Sequence, residues 1–178
     1  MGSQKKLQEF TNDMANKYTA LYDVYRDEQI DDIPLAFLAI YKRRDERYMI
    51  TKKIKVYGVE NQQIIFTTVH EQKLNTDFLH QFQKAIERNA TQYIPENQEH
   101  MSTIVLGVVI TAQKIDDAVI KEVSRFRKLK FLKFGLHGWV EMYLVIINLH
   151  DEKVYVHPKG KMFISSIDQM FKEDGVKQ

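Results

Sequence analysis

Apolar residues recur first with the period of a helix and then with the period of a strand. The opening segment places large apolar side chains three or four positions apart, which stacks them on one helix face: Leu7, Phe10, Met14, Tyr18 and Leu21. Residues 34–41 then form a compact apolar run, and apolar and polar residues alternate along 48–57. A turn near 58–62 leads into a further strand over 63–68. The short connections between these strands predict an antiparallel arrangement.

The second half of the chain predicts a buried strand between two helices. Asn75 is a suitable N-cap for the second helix, and Asp116 is one for the third. Between them, residues 102–111 are apolar with hardly a break, which is typical of a strand covered on both faces and therefore central. The remaining predicted elements are a basic strand over 128–134, a hairpin over 139–157 and a short helix that starts near Ser166.

This order of elements predicts the fold class. A helix, several strands, a helix, a strand, a helix and further strands indicate an α+β domain with a mixed or mainly antiparallel sheet. We expect about three main helices and a short C-terminal helix. No linker, repeat or low-complexity block interrupts the chain, so we expect a single domain over 1–178.

Composition narrows the class of protein. A chain of 178 residues that is 44% hydrophobic is long enough to bury about 70% of its unfolded surface in one core. The absence of cysteine excludes disulfides, a thiolate nucleophile and cysteine-ligated metal. No apolar run approaches the ~18 residues that span a bilayer, and no apolar segment follows the first charges. We therefore expect a soluble, cytoplasmic protein with no membrane partner.

Positive charge is concentrated in two stretches of the chain. Residues 42–55 carry seven Lys and Arg against two acidic residues, and residues 121–161 carry nine against four, so each stretch nets +5. The whole chain nets +2, so the remaining residues sum to −8. This segregation predicts a basic surface that attracts a polyanion such as nucleic acid, or an acidic protein partner.

The predicted basic strand supplies most of the candidate binding residues. Its basic and apolar side chains alternate, which is the pattern of a half-buried edge strand whose lysines discourage edge pairing. The same lysines are suited to hold phosphate if a second basic strand joins them on one face. The candidate binding residues are Arg125, Arg127, Lys128, Lys130 and Lys133, together with Lys53 and Lys55.

An enzymatic alternative rests on the spelling Glu-x-Lys. Metal-dependent nucleases use such a pair with a further carboxylate, because the acids hold Mg²⁺ and the lysine steadies the phosphate. Glu71 and Lys73 match this spacing, and Glu60 offers the further carboxylate. No apolar neighbours surround Glu71, which favours a solvated loop. His150 and His157 lie near one hairpin end, but a solvated pair is the favoured interpretation, so no metal or cofactor is predicted.

Two apolar segments resemble a known group of proteins. The segments EHMSTIVLGVVIT (99–111) and FLKFGLHGWVEMYLVIINL (131–149) are similar to those of small cytosolic proteins of low-GC Gram-positive bacteria, which are grouped as a domain of unknown function. The resemblance implies a bacterial cytosolic origin. It brings no catalytic residues to this chain.

The favoured hypothesis is therefore a non-enzymatic binding or interaction protein, and the alternative is a metal-dependent phosphodiesterase-like enzyme. We also expect a homodimer. An exposed edge beside the apolar block 131–136 and Trp139 forms a patch that a second copy would bury.

Overall fold

The computed structural model describes residues 2–48, 55–95, 100–132 and 135–176. Its α-helices are α1 (Gly2–Tyr18), α2 (Thr76–Ala90), α3 (Asp117–Arg125) and α4 (Ser165–Val176). Short 3-10 helices lie at Thr91–Tyr93 and Pro158–Phe163. The strands are β1 (Asp23–Tyr25), β2 (Gln29–Ile30), β3 (Ile33–Pro34), β4 (Phe37–Tyr48), β5 (Lys55–Val69), β6 (His100–Thr111), β7 (Arg127–Phe131), β8 (Trp139–Asn148) and β9 (Lys153–Val156).

One mixed sheet organises these elements. Its strand order is β1-β4-β5-β6-β8-β7, β9 pairs with β8 beyond the end of β7, and β2 and β3 form a small separate hairpin. The strands β5, β6 and β8 run parallel, whereas the outer pairs are antiparallel. The prediction of an α+β fold on a mixed sheet with a short C-terminal helix is confirmed. The centre is parallel because α2 and α3 provide the long crossovers that parallel strands require.

The sheet is covered on both faces, which gives two apolar layers. The α1 face packs against α1 and α4, and it includes Leu106 and Val145 of the central strands. The α2 face packs against α2 and α3, and it includes Val105 and Leu144. The prediction that the strand over 102–111 is central and covered on both sides is confirmed, since every residue of β6 from 105 onward is buried.

The helix ends follow the capping prediction in one case and depart from it in another. The Asn75 side chain accepts a hydrogen bond from the Phe78 backbone N–H at 2.8 Å, so this residue caps α2 as expected. Asp116 occupies the N-cap position of α3, but its carboxylate pairs with Lys73 at 3.0 Å and makes no capping hydrogen bond. The expectation that Leu21 belongs to the buried stripe of α1 is wrong, because the helix ends at Tyr18 and Leu21 is 75% exposed.

A turn over 135–138 leads into the start of β8. Gly135 and Gly138 have φ angles of +91° and +80°, a conformation that glycine adopts without strain. The Leu132 backbone N–H donates to the Gly138 carbonyl at 2.9 Å. Gly138 also lies against the backbone of Met101, where a Cβ would be 2.1 Å from the Met101 carbonyl oxygen. The turn is therefore held against the start of β6 by backbone contact.

A pair of glycine substitutions tests this contact. Gly135→Ala adds a side chain in open space and bears only the strain of its positive φ, about 1–2 kcal/mol. Gly138→Ala adds the clash with the Met101 backbone, so we expect it to cost at least ~2 kcal/mol more. Urea denaturation of the two variants measures the difference, and equal losses of stability would contradict the close approach.

Candidate ligand-binding site

The register of β7 against β8 sorts the basic strand onto two faces. Lys128 is opposite Met142 and Lys130 is opposite Val140, so both lysines project on the α2 face. Arg127 is opposite Tyr143, which belongs to the α1 face. Side chains alternate along a strand, so Leu129 and Phe131 lie on the α1 face with Arg127.

Arg127 is engaged in a half-buried polar cluster. Its Nε donates to Glu141 Oε1 at 2.9 Å, its Nη2 contacts the same oxygen, and the Tyr143 hydroxyl donates to that carboxylate at 3.0 Å. Hydrogen bonds to Tyr143 and Glu141 raise the pKa of Arg127 above its ordinary value. Burial raises the pKa of Tyr143; the hydrogen bond with Arg127 opposes this rise, and the hydrogen bond with Glu141 adds to it. This guanidinium therefore has a structural partner on the α1 face.

The two lysines on the α2 face border a pocket between the end of α2 and the strands β7 and β8. The pocket has a volume of about 260 Å³. Its apolar lining comprises Ala90, Ile94, Val105, Leu132, Val140 and Met142. Polar groups of Glu87, Thr91, Lys128 and Lys130 complete the wall. An apolar cavity with a few convergent polar groups is the usual form of a small-molecule site.

The electrostatics of the pocket distinguish its two lysines. Lys128 Nζ lies 2.9 Å from Glu87 Oε1 and forms an ion pair with it. Burial opposes ionisation of Glu87, but hydrogen bonds from Lys128 and Gln83 and the positive charge of Lys128 outweigh it and lower the pKa of Glu87. Lys130 makes no ion pair with a residue that the structure describes, and it is exposed. The net charge at the pocket is therefore positive, and it comes from Lys130.

The other predicted basic residues that the structure describes do not line this pocket. Arg125 is the exposed last residue of α3. Lys53 and Lys133 lie outside the described residues. Lys55 is the first residue of β5, and the pairing of β5 with β6 begins only at Glu60. Strand pairing places Lys130 opposite Val140, Val140 opposite Thr103 and Thr103 opposite Gln62. Lys55 lies seven residues before Gln62 on β5, so Lys55 and Lys130 are roughly 25 Å apart.

The residues of the enzymatic alternative are not brought together. Glu60 lies near the start of β5 and Glu71 follows its end, which separates them by about 30 Å of strand. Gln4 Nε2 donates to Glu71 at 3.2 Å, and Lys73 pairs with Asp116 at 3.0 Å. Within the described parts of the chain, no group of three or more His, Cys, Asp or Glu is placed to hold a metal ion. The carboxylate cluster that this alternative requires is not formed.

Sequence reasoning missed most of the pocket. Glu87 lies on α2, some forty residues before Lys128, and nothing in its local pattern links it to the basic strand. Val105 comes from the central strand and contributes to the wall only through the packing of α2 on the sheet. One signal was available, because the period of two along 127–131 already separates Lys128 and Lys130 from Arg127.

Comparison with protein-family models identifies the family to which the chain belongs. The chain belongs to the family described as Domain of unknown function (DUF8052), whose model matches residues 6–169. The resemblance to a domain of unknown function is thus confirmed, whereas the bacterial origin stays a prediction. No curated protein and no solved structure matches the chain. Across the ranges described, the structure contains no helix long and apolar enough to cross a membrane.

The Arg127 cluster leads to a stability prediction. Arg127→Gln leaves the Glu141 carboxylate, which is only 14% exposed, without its cation, so we expect a loss of about 2 kcal/mol in the free energy of unfolding. Arg125→Gln is the matched control and should change stability by less than about 0.5 kcal/mol. Chemical denaturation compares the two. A loss at Arg127 no larger than at Arg125 would show that the cluster is dispensable.

Proposed function

We propose that the protein is a non-enzymatic binding protein that takes a small anion with an apolar body, such as a medium-chain or aromatic carboxylate. The observation that carries this proposal is the pocket on the α2 face, whose walls are apolar and whose rim bears Lys128 and Lys130. Apolar contact gives such a ligand affinity, and a single convergent charge orients it. The volume of about 260 Å³ suits a ligand of this size.

The distribution of charge supports an anion over a neutral ligand. Lys128 is partly neutralised by Glu87, but Lys130 has no such counter-charge among the described residues. A carboxylate placed at the rim would neutralise Lys130 while its hydrocarbon part enters the pocket. Glu87 would repel this carboxylate, so the preferred position of the anion is on the Lys130 side.

The same charges weaken the polyanion version of the hypothesis. Within residues 125–130, Arg127 is paired with Glu141 and Lys128 is paired with Glu87. The two other basic residues there, Arg125 and Lys130, form no ion pair with a described residue. Each neutralised phosphate contributes about 0.9 to the salt dependence of duplex binding, so two such contacts give only a shallow slope. A small anion therefore fits the site better than nucleic acid.

A titration with octanoate tests the proposal, with octanol as the neutral ligand of matched length. We expect calorimetry to show octanoate binding at least about fivefold more tightly than octanol, since one charge-assisted contact contributes roughly 1 kcal/mol. Lys130→Met should remove this preference. Thr91→Trp, which fills the pocket, should abolish binding of both ligands, whereas Gln92→Trp, next to it but outside the lining, should not. Binding that survives Thr91→Trp would overturn the proposal.

A second substitution is expected to strengthen binding. Glu87→Gln removes the carboxylate that holds Lys128 and leaves a neutral side chain of similar shape. Lys128 is then available to the anion, so octanoate should bind about three- to tenfold more tightly at neutral pH. Glu122→Gln is the control, because Glu122 is paired with His80 on the helices and does not line the pocket. Unchanged or weaker binding in Glu87→Gln would show that Lys128 does not contact the ligand.

A further inference from the structure

The outer edge of β7 is free of any described strand. The main sheet ends at β7, whose only described partner is β8. The Leu132 N–H donates to Gly138 at 2.9 Å, and the hydrogen-bonded positions of an antiparallel pair recur every second residue. Lys130 and Lys128 therefore direct their backbone groups toward β8. Leu129 and Phe131 direct theirs outward, together with Arg127.

The side chains of this edge present two different surfaces. On the α1 face, Leu129 is 40% and Phe131 is 60% exposed, although both are large and apolar. On the α2 face, Lys128 and Lys130 are exposed. A strand added to this edge would meet apolar side chains on one face. On the other face it would meet Lys130, which has no ion pair to a described residue, and Lys128, which is paired with Glu87.

We propose that the outer edge of β7 binds an extended segment of a partner protein in which acidic and apolar residues alternate. The outward N–H and C=O groups of Leu129 and Phe131 would form the ladder hydrogen bonds. The acidic residues of the segment would lie beside Lys128 and Lys130, and its apolar residues beside Leu129 and Phe131. This interaction goes beyond the pocket and uses backbone groups and an apolar surface that the pocket does not contain.

A second copy of the chain is a poorer occupant of this edge. Opposed residues in a sheet share a face, so a symmetric antiparallel register must pair residues of the same parity. Every such register that pairs three or more residues of β7 places a lysine of one copy directly opposite a lysine of the other. The opposed residues are Lys128 and Lys130, or the same lysine from both copies. These contacts fall at the positions that are not hydrogen bonded, where side chains are closest, and like charges there are destabilising. The alternation thus favours an acidic strand over the homodimer that the sequence led us to expect at this edge.

The lysines also explain why the exposed apolar residues are tolerated. Charged side chains on an edge strand discourage pairing with arbitrary strands. An acidic segment removes this barrier and covers Leu129 and Phe131 at the same time. The edge therefore discriminates between strands by charge as well as by shape.

Synthetic peptides test the proposal. The probe is a fluorescent peptide of about seven residues in which Glu and Val alternate, a typical strand length. The controls are a Lys–Val peptide with the same alternation and a Glu–Val peptide with its residues in blocks. We expect fluorescence polarisation to show binding of the alternating Glu–Val peptide, with the Lys–Val peptide at least about tenfold weaker. Equal binding of all three peptides, or no binding, would overturn the proposal.

Variants of β7 identify the edge. Leu129→Pro removes an outward N–H, which an edge strand tolerates, and should weaken the Glu–Val peptide at least about fivefold. Lys130→Glu should reverse the preference, so that the Lys–Val peptide binds more tightly than the Glu–Val peptide. This variant tests the proposal even if the proline variant is unstable. Thr91→Trp should leave peptide binding unchanged, so that failure of the pocket and failure of the edge are told apart. Concentration-dependent dimerisation that Leu129→Pro abolishes would assign the edge to a second copy and overturn the proposal.

Discussion

The register of β8 between β6 and β7 is the constraint on which the rest of the structure depends. Residues 142–149 are buried, and alternate side chains enter the two apolar layers. A shift of one residue would move every side chain into the opposite layer and disrupt the close packing of both layers. Two contacts hold the start of β8 against the start of β6 and so define this register. The backbone of Gly138 lies against that of Met101, and a hydrogen bond of 2.6 Å joins His100 Nδ1 to the His137 carbonyl oxygen.

Because β7 is paired to β8, the same register decides where its charges lie. Arg127 is directed to the α1 face, where Glu141 binds it, and Lys130 is directed to the α2 face beside the pocket. The basic residues of this stretch are thus divided into Arg127, which has a structural role, and lysines that are available to a ligand. The pocket proposal and the edge proposal both follow from this division and share Lys128 and Lys130. The pocket adds the apolar lining under α2, whereas the edge adds the outward backbone groups of β7 and the exposed side chains of Leu129 and Phe131.

The fold was largely predictable from the sequence because its signals are local. The Asn75 cap and the unbroken apolar run of β6 are each read from a few neighbouring residues, and both predictions are confirmed. The parallel centre of the sheet was not predicted, since the pairing of β5 with β6 depends on a crossover rather than on a turn. Likewise, the exposure of Leu21 depends on where α1 ends, which the apolar period alone does not define.

The candidate site was less predictable because it is assembled from distant segments. The period of two identified Lys128 and Lys130 as neighbours on one face, yet the partner of Lys128 is Glu87 on a helix that packs over that face. Glu60 was expected on a turn near 58–62, but this stretch lies inside the long strand β5, which separates Glu60 from Glu71. Sites formed by packing between helix and sheet carry no short motif, and charge patterns alone do not reveal their counter-charges.

The most direct test of this account is a methyl NMR titration with octanoate. The methyl groups of Val105, Val140 and Met142 border the pocket, whereas those of Leu106 and Val145 lie on the opposite face of the same strands. We expect saturable chemical-shift changes in the first set of methyl groups and none in the second. Shifts confined to the α1 face, or spread equally over both faces, would contradict the location of the ligand site.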